Sequence, residues 1–144
     1  MRTTSALDVA AHLRLAVTRT ARRLRQEAGG GLSPSLNAAL ATIERHGPLT
    51  PSELAARERI QRPTATGILA RLEEAGLAQR TGDPEDRRSS LVSVTPEGRA
   101  LLAELRTRKD AFLAKRLAAL DAEERAVLDR AAALLERVLE EGRT

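Results

Sequence analysis

Apolar positions recur at helical spacing over most of this chain, with one interruption where the spacing drops to two. Val9, Leu13, Val17 and Leu24 recur among Arg14, Arg19, Arg22, Arg23 and Arg25, which predicts an amphipathic first helix. Ser5 with Asp8 has capping-box spacing, and Gly29-Gly30-Gly31 ends that helix. Ser33-Pro34 opens a second helix, with Ser as cap and Pro at the first helical position. Leu36, Leu40 and Ile43 form its stripe, and Gly47-Pro48 closes it. Thr50-Pro51-Ser52-Glu53 caps a short third helix, about Pro51 to Arg57, with Leu54 and Ala55 inward. After Glu58, Arg59 and Ile60, a fourth helix starts near Arg62-Pro63 and runs to Ala75. Ala65, Ile68, Leu69 and Leu72 make its core face, and Gly76 stops it.

Leu77 to Thr81 then reads as a strand, 82–86 as a turn cluster, and Leu91 to Val94 as the return strand. The result is a β-hairpin with a long, charged tip. Thr95-Pro96-Glu97 caps a long fifth helix, whose apolar side includes Leu101, Leu102, Leu105, Phe112, Leu113, Leu117 and Leu120. Asp121 with Glu124 caps a last helix, with a wide face from Val127 and Leu128 to Val138 and Leu139.

Composition narrows the function. The 144 residues suit one domain with its own core. Aromatic content is 1%, which argues against stacking of single-stranded bases. Cys is absent, so thiolate metal sites, thiol nucleophiles and thiol redox switches are excluded. His12 and His46 are the two histidines, and no nucleophile–base pair, phosphate loop or metal constellation surrounds them. No enzyme, cofactor or metal site is expected. The net charge of +4 permits an anionic partner, and arginine supplies nearly all the positive charge, with Lys only at 109 and 115. Arginine suits phosphate and guanine edges, although its excess over lysine also fits a GC-rich genome. No apolar run of membrane-spanning length occurs and no apolar segment follows Met1 to Ser5. A cytoplasmic protein without membrane contact is expected.

Three short helices followed by a hairpin is the order of a winged helix-turn-helix. The predicted fold is mainly α with a small β-hairpin wing. A core over 33–95 is flanked by helices at 5–28 and 96–141, within a single domain over 1–144. The broad stripes of those flanking helices must be buried, either inside a monomeric bundle or, as favoured here, against a second copy. Leu13, Val17, Phe112, Leu113, Leu117, Leu128, Leu135 and Val138 are the candidate dimerisation residues. A two-fold dimer would offer two recognition helices to half-sites about one helical turn apart.

In such a fold the fourth helix enters the major groove. Its outer face carries Pro63, Thr66, Gly67 and Ala70, flanked by Gln61, Arg62, Thr64 and Arg71. This face is small and nearly neutral, which suits close approach. Threonines can meet thymine methyls or phosphates, Arg62 a guanine, and Gln61 an adenine. Arg62 and Arg71 could instead be solvated or ion-paired, for example Arg71 with Glu74. Thr50 and Ser52 suit phosphate contact at a helix start, or capping alone. At the hairpin tip, Asp83, Glu85, Asp86, Arg87 and Arg88 nearly cancel in charge. An Asp two residues before an Arg can hold the guanidinium outward, toward a narrow minor groove, although a plain solvated tip has the same composition.

The stretches 49–55, 62–73 and 76–80 resemble the third helix, recognition helix and wing entry of the MarR family of bacterial regulators. Asp83-Pro84-Glu85-Asp86-Arg87-Arg88 resembles the family's wing, and 91–98 its exit. The resemblance implies an obligate dimer, a pseudo-palindromic double-stranded operator, and repression relieved by a small, often phenolic or aromatic effector. It makes Arg88 the wing-tip minor-groove residue, with Asp86 its partner. It places an effector pocket near His12, Ala16, Ala39 and Ile43. Gly67 stands where many members carry a basic or polar residue. The thiol-sensing branch is excluded without Cys. The zinc-sensing branch would have only His12 to join Glu44 and His46. The alternative function is a protein-binding adaptor that has lost DNA binding.

Overall fold

The computed structural model describes residues 3–82 and 90–141. The elements are α1 (Ala6–Ala28), α2 (Pro34–His46), α3 (Pro51–Glu58), α4 (Arg62–Glu74), β1 (Ala78–Gly82), β2 (Ser90–Val94), α5 (Pro96–Leu117) and α6 (Ala122–Glu141). The expected order holds, mainly helical with one hairpin.

The caps explain where the helices start. The Ser5 hydroxyl accepts from the Asp8 N–H and the Asp8 carboxylate accepts from the Ser5 N–H, a complete capping box. Ser33 accepts from the Leu36 N–H, and Thr50 from the Glu53 N–H. Asp121 and Glu124 exchange the same pair of bonds ahead of α6. Between α3 and α4 the chain turns at Arg59, with φ 54° and ψ 46°. The Ile60 N–H returns to the Ala55 carbonyl at 3.0 Å, which closes α3 and redirects the chain within three residues.

Backbone contacts divide the chain into two compact units, Met1–Lys109 and Asp110–Thr144. In the first, Leu40, Ile43, Leu54, Leu69, Leu72 and Leu102 are essentially inaccessible and make one core with Val92 and Val94. β1 and β2 pair antiparallel from Ala78↔Val94 to Gly82↔Ser90. Leu49 adds a bridge to Val92, with both backbone bonds made at 3.0 and 2.8 Å. The start of α5 is seated on the hairpin base. Thr95, 8% exposed, donates to the Gly76 carbonyl at 2.7 Å and accepts from the Gly98 N–H at 3.0 Å. A Cβ at Gly98 would run into the Leu77 carbonyl oxygen and Val94. Further along α5, Arg106 pairs with Glu44 of α2 at 2.8 Å, and Arg108 donates to the Ala28 carbonyl at the end of α1 at 2.9 Å.

The second unit holds the end of α5 and α6. The Arg125 guanidinium caps the turn between them by donating to the Leu117 and Leu120 carbonyls. Arg116 lies over the Phe112 ring, 5.2 Å from its centroid. Leu113, Leu117, Leu120 and Leu135 are only half-buried there.

Candidate nucleic-acid interface

The α3–turn–α4 unit is a helix-turn-helix whose second helix has two sharply different faces. Inward, Ala65, Leu69 and Leu72 are at most 1% exposed and Ile68 is 9%. Outward, Gln61, Arg62, Pro63, Thr64, Thr66, Gly67, Ala70 and Arg71 are all exposed. The 3.6-residue repeat of the inward set fixes this division.

Several outward groups are uncommitted. Gln61 is the N-cap but makes no side-chain capping bond, so its amide remains available. Arg62 and Arg71 make no ion pair with any described residue, so the Arg71–Glu74 pair does not form. Thr66 donates to the Arg62 carbonyl at 3.0 Å, which holds its side chain against the helix while its oxygen can still accept. A Cβ at Gly67 would meet nothing within 4 Å. The glycine is therefore not a packing necessity, and it keeps this face low. At the start of α3, Thr50 is spent on its cap, accepting from the Glu53 N–H and donating to the Glu53 carboxylate at 3.1 Å. Ser52 beside it is exposed.

Asp86, Arg87 and Arg88 lie outside the described residues. At the base of the same hairpin, Arg80 donates from Nε to Glu73 Oε1 at 2.5 Å and from Nη1 to the Ser90 hydroxyl at 3.2 Å. Sequence reading passed over this link. Glu73 and Arg80 are seven positions apart across a helix end and a turn, and nothing in their spacing announces a contact.

Leu13, Val17, Leu128 and Val138 are 37 to 63% exposed in the single chain, while Phe112, Leu113, Leu117 and Leu135 are half-buried. The four residues assigned to an effector pocket differ in burial in the single chain. His12 and Ala16 are exposed on α1, whereas Ala39 and Ile43, each 1% exposed, belong to the core. Their side of α2 packs on the helix-turn-helix. One cleft of about 310 Å³ runs beside α4, between Pro34, Ala38, Glu58, Ile60 and Thr64. A cavity of about 20 Å³ lies among Arg25, Leu32, Asn37, Leu105 and Lys109, and the Asn37 Oδ1 is buried without a partner among the described residues. That volume is room for about one water. Among the described residues no three His, Asp or Glu side chains form a group able to hold a metal, and no helix is long and apolar enough to cross a membrane.

The model of the MarR family matches residues 32–90. A helix-turn-helix transcriptional regulator of Mycobacterium tuberculosis, MT0903.1, is 38% identical over 134 residues, 92% of this chain and 94% of its own length. The chain belongs to the MarR family. The transcriptional repressor MdtR of Bacillus subtilis is 34% identical over 65% of this chain and 61% of its own. A protein of Pseudomonas aeruginosa PA01, known from a crystal structure, superposes with a TM-score of 0.83 at 39% identity, over 96% of this chain and 99% of that one. This MarR-family chain is thus a DNA-binding transcriptional regulator, and its family is one of regulators rather than enzymes.

Proposed function

We propose that the protein is a dimeric repressor that binds a pseudo-palindromic, double-stranded operator and is released by a small ligand. The observation that carries this reading is the outer face of α4, which is exposed, small and uncommitted directly opposite a fully buried face. Gln61, Arg62, Pro63, Thr64, Thr66, Gly67 and Arg71 read the major groove, Ser52 approaches a phosphate, and Arg88, steadied by Asp86, enters the minor groove. Thr50 serves as the cap that orients α3. The whole chain acts as one functional domain, with 33–95 the DNA-binding lobe and 5–28 and 96–141 the dimerisation helices. The apolar residues left exposed on α1 and α6 support that division. Repression is supported by the kinship with MdtR. The cytoplasm, where DNA is, is its place of work.

For the effector, the family resemblance points to a phenolic or aromatic molecule. The cavity at Arg25, Asn37 and Lys109 holds about one water in a single chain, so ligand entry would have to open it.

A gel shift with the DNA upstream of its own gene, at two salt concentrations, tests the reading. A sequence-selective shift that weakens steeply with salt is expected. No shift at low salt on any duplex would return the protein to the adaptor reading. Release of the shift by a panel of small phenols and aromatic carboxylates tests the ligand.

A further inference from the structure

We propose that Arg80 is a positioning residue that sets the wing against the recognition helix, so that the two read DNA as one unit. The proposal rests on α4 and the wing being the DNA-reading elements. Opposite residues of an antiparallel pair share a face. Arg80 opposes Val92, and the neighbouring pairs on the same face are Ala78↔Val94 on the inner side and Gly82↔Ser90 on the outer. One face of the hairpin therefore runs from the core at Ala78, Val92 and Val94 outward through Arg80 to Ser90. The core ends at Val92. Opposite and beyond it, Arg80, Thr81 and Gly82 are exposed. A two-stranded ribbon without a core beneath it is free to twist.

Arg80 spans that gap. Its planar fork takes Glu73 in the last turn of α4 with Nε and Ser90 on β2 with Nη1. Among the described residues no other ion pair or side-chain hydrogen bond joins this outer part of the hairpin to a helix. The segment 83–89, with Asp86 and Arg88, leaves from Gly82 and returns at Ser90. Whatever fixes the Gly82–Ser90 end against α4 fixes the origin of that segment relative to the groove-facing helix. The pair is not there for stability: its side chains are 37% and 29% exposed, and such pairs contribute little.

Glu73 makes the idea decisive, because an acid beside a DNA-binding surface repels phosphate. Removing it should tighten binding if Arg80 is a simple phosphate contact. It should cost selectivity if Arg80 is held in place by it. The experiment compares wild type with Glu73→Gln, Arg80→Lys and Ser90→Ala. The probes are a duplex selected by the wild type from a randomised library and a scrambled duplex of equal length. Glu73→Gln and Arg80→Lys are expected to lower the ratio of specific to non-specific affinity about tenfold, with the loss concentrated at the outer positions of each half-site, and Ser90→Ala about twofold. Thermal midpoints and dimer state should not move. Glu73→Gln tightening both duplexes alike, with the ratio unchanged, would overturn the proposal while leaving the DNA-binding reading intact. Failure of the wild type to select any duplex would overturn both.

Discussion

The helix-turn-helix lobe and the flanking helices α1 and α6 carry similar amounts of leucine, alanine and arginine, yet they treat them oppositely. In the lobe Leu40, Leu54, Leu72 and Val92 are 0% exposed. On α1 Leu7, Val9, Leu13, Leu15 and Val17, and on α6 Val127, Leu128, Leu134, Val138 and Leu139, all stand 37 to 79% exposed. The lobe buries its stripes in one core, closed by Leu102 of α5. A helix that displays them needs a second surface, and a two-fold partner is the economical one. The amphipathic period is the same in both places, but only in the lobe is the stripe buried.

The strongest way to break this comparison is to make the displayed face polar. Leu128→Asp with Val138→Asp should convert a dimer to a monomer by sedimentation and weaken operator binding by roughly a hundredfold, the loss of two tethered half-sites. A chain that stays dimeric would mean the exposed stripes serve something else. Truncation within each region sharpens the contrast. Leu72→Ala should cost about 2–5 kcal/mol in denaturant unfolding, whereas Leu139→Ala in the monomeric background should stay within about 0.5 kcal/mol. Arg88→Ala should weaken the selected operator by about 1–3 kcal/mol with the dimer intact, separating DNA reading from assembly. The smallest effect is expected of Thr50→Ala, about 1 kcal/mol of stability from the lost cap of α3. A much larger loss of operator affinity than of stability would show Thr50 touching phosphate after all.

The parts of the fold that sequence reading reached are the local ones. Ser5, Ser33, Thr50 and Asp121 each start a helix by a bond to a residue three positions on, so spacing suffices. The hairpin showed as a change of period, and its strands lie within a residue of where they were expected. The outer face of α4 followed by subtraction from its core face. The rotation of α2 was less legible. Its stripe of Leu36, Leu40 and Ile43 was legible, and the structure adds that Ala39 beside them is also buried in the core. A helix with neighbours on several sides does not reveal from its period which neighbour each residue meets.

By itself, then, the sequence determined the element order, the caps, the hairpin strands and the outward face of α4, because each depends on residues a few positions apart. Tertiary structure decided three things. Glu44 is paired with Arg106, 62 positions away. Asn37 is left with a buried oxygen that has no partner among the described residues. Arg80 reaches back to Glu73 and across to Ser90. Each depends on how far a helix is turned or which side of a strand faces in, and those angles are set only when the elements pack.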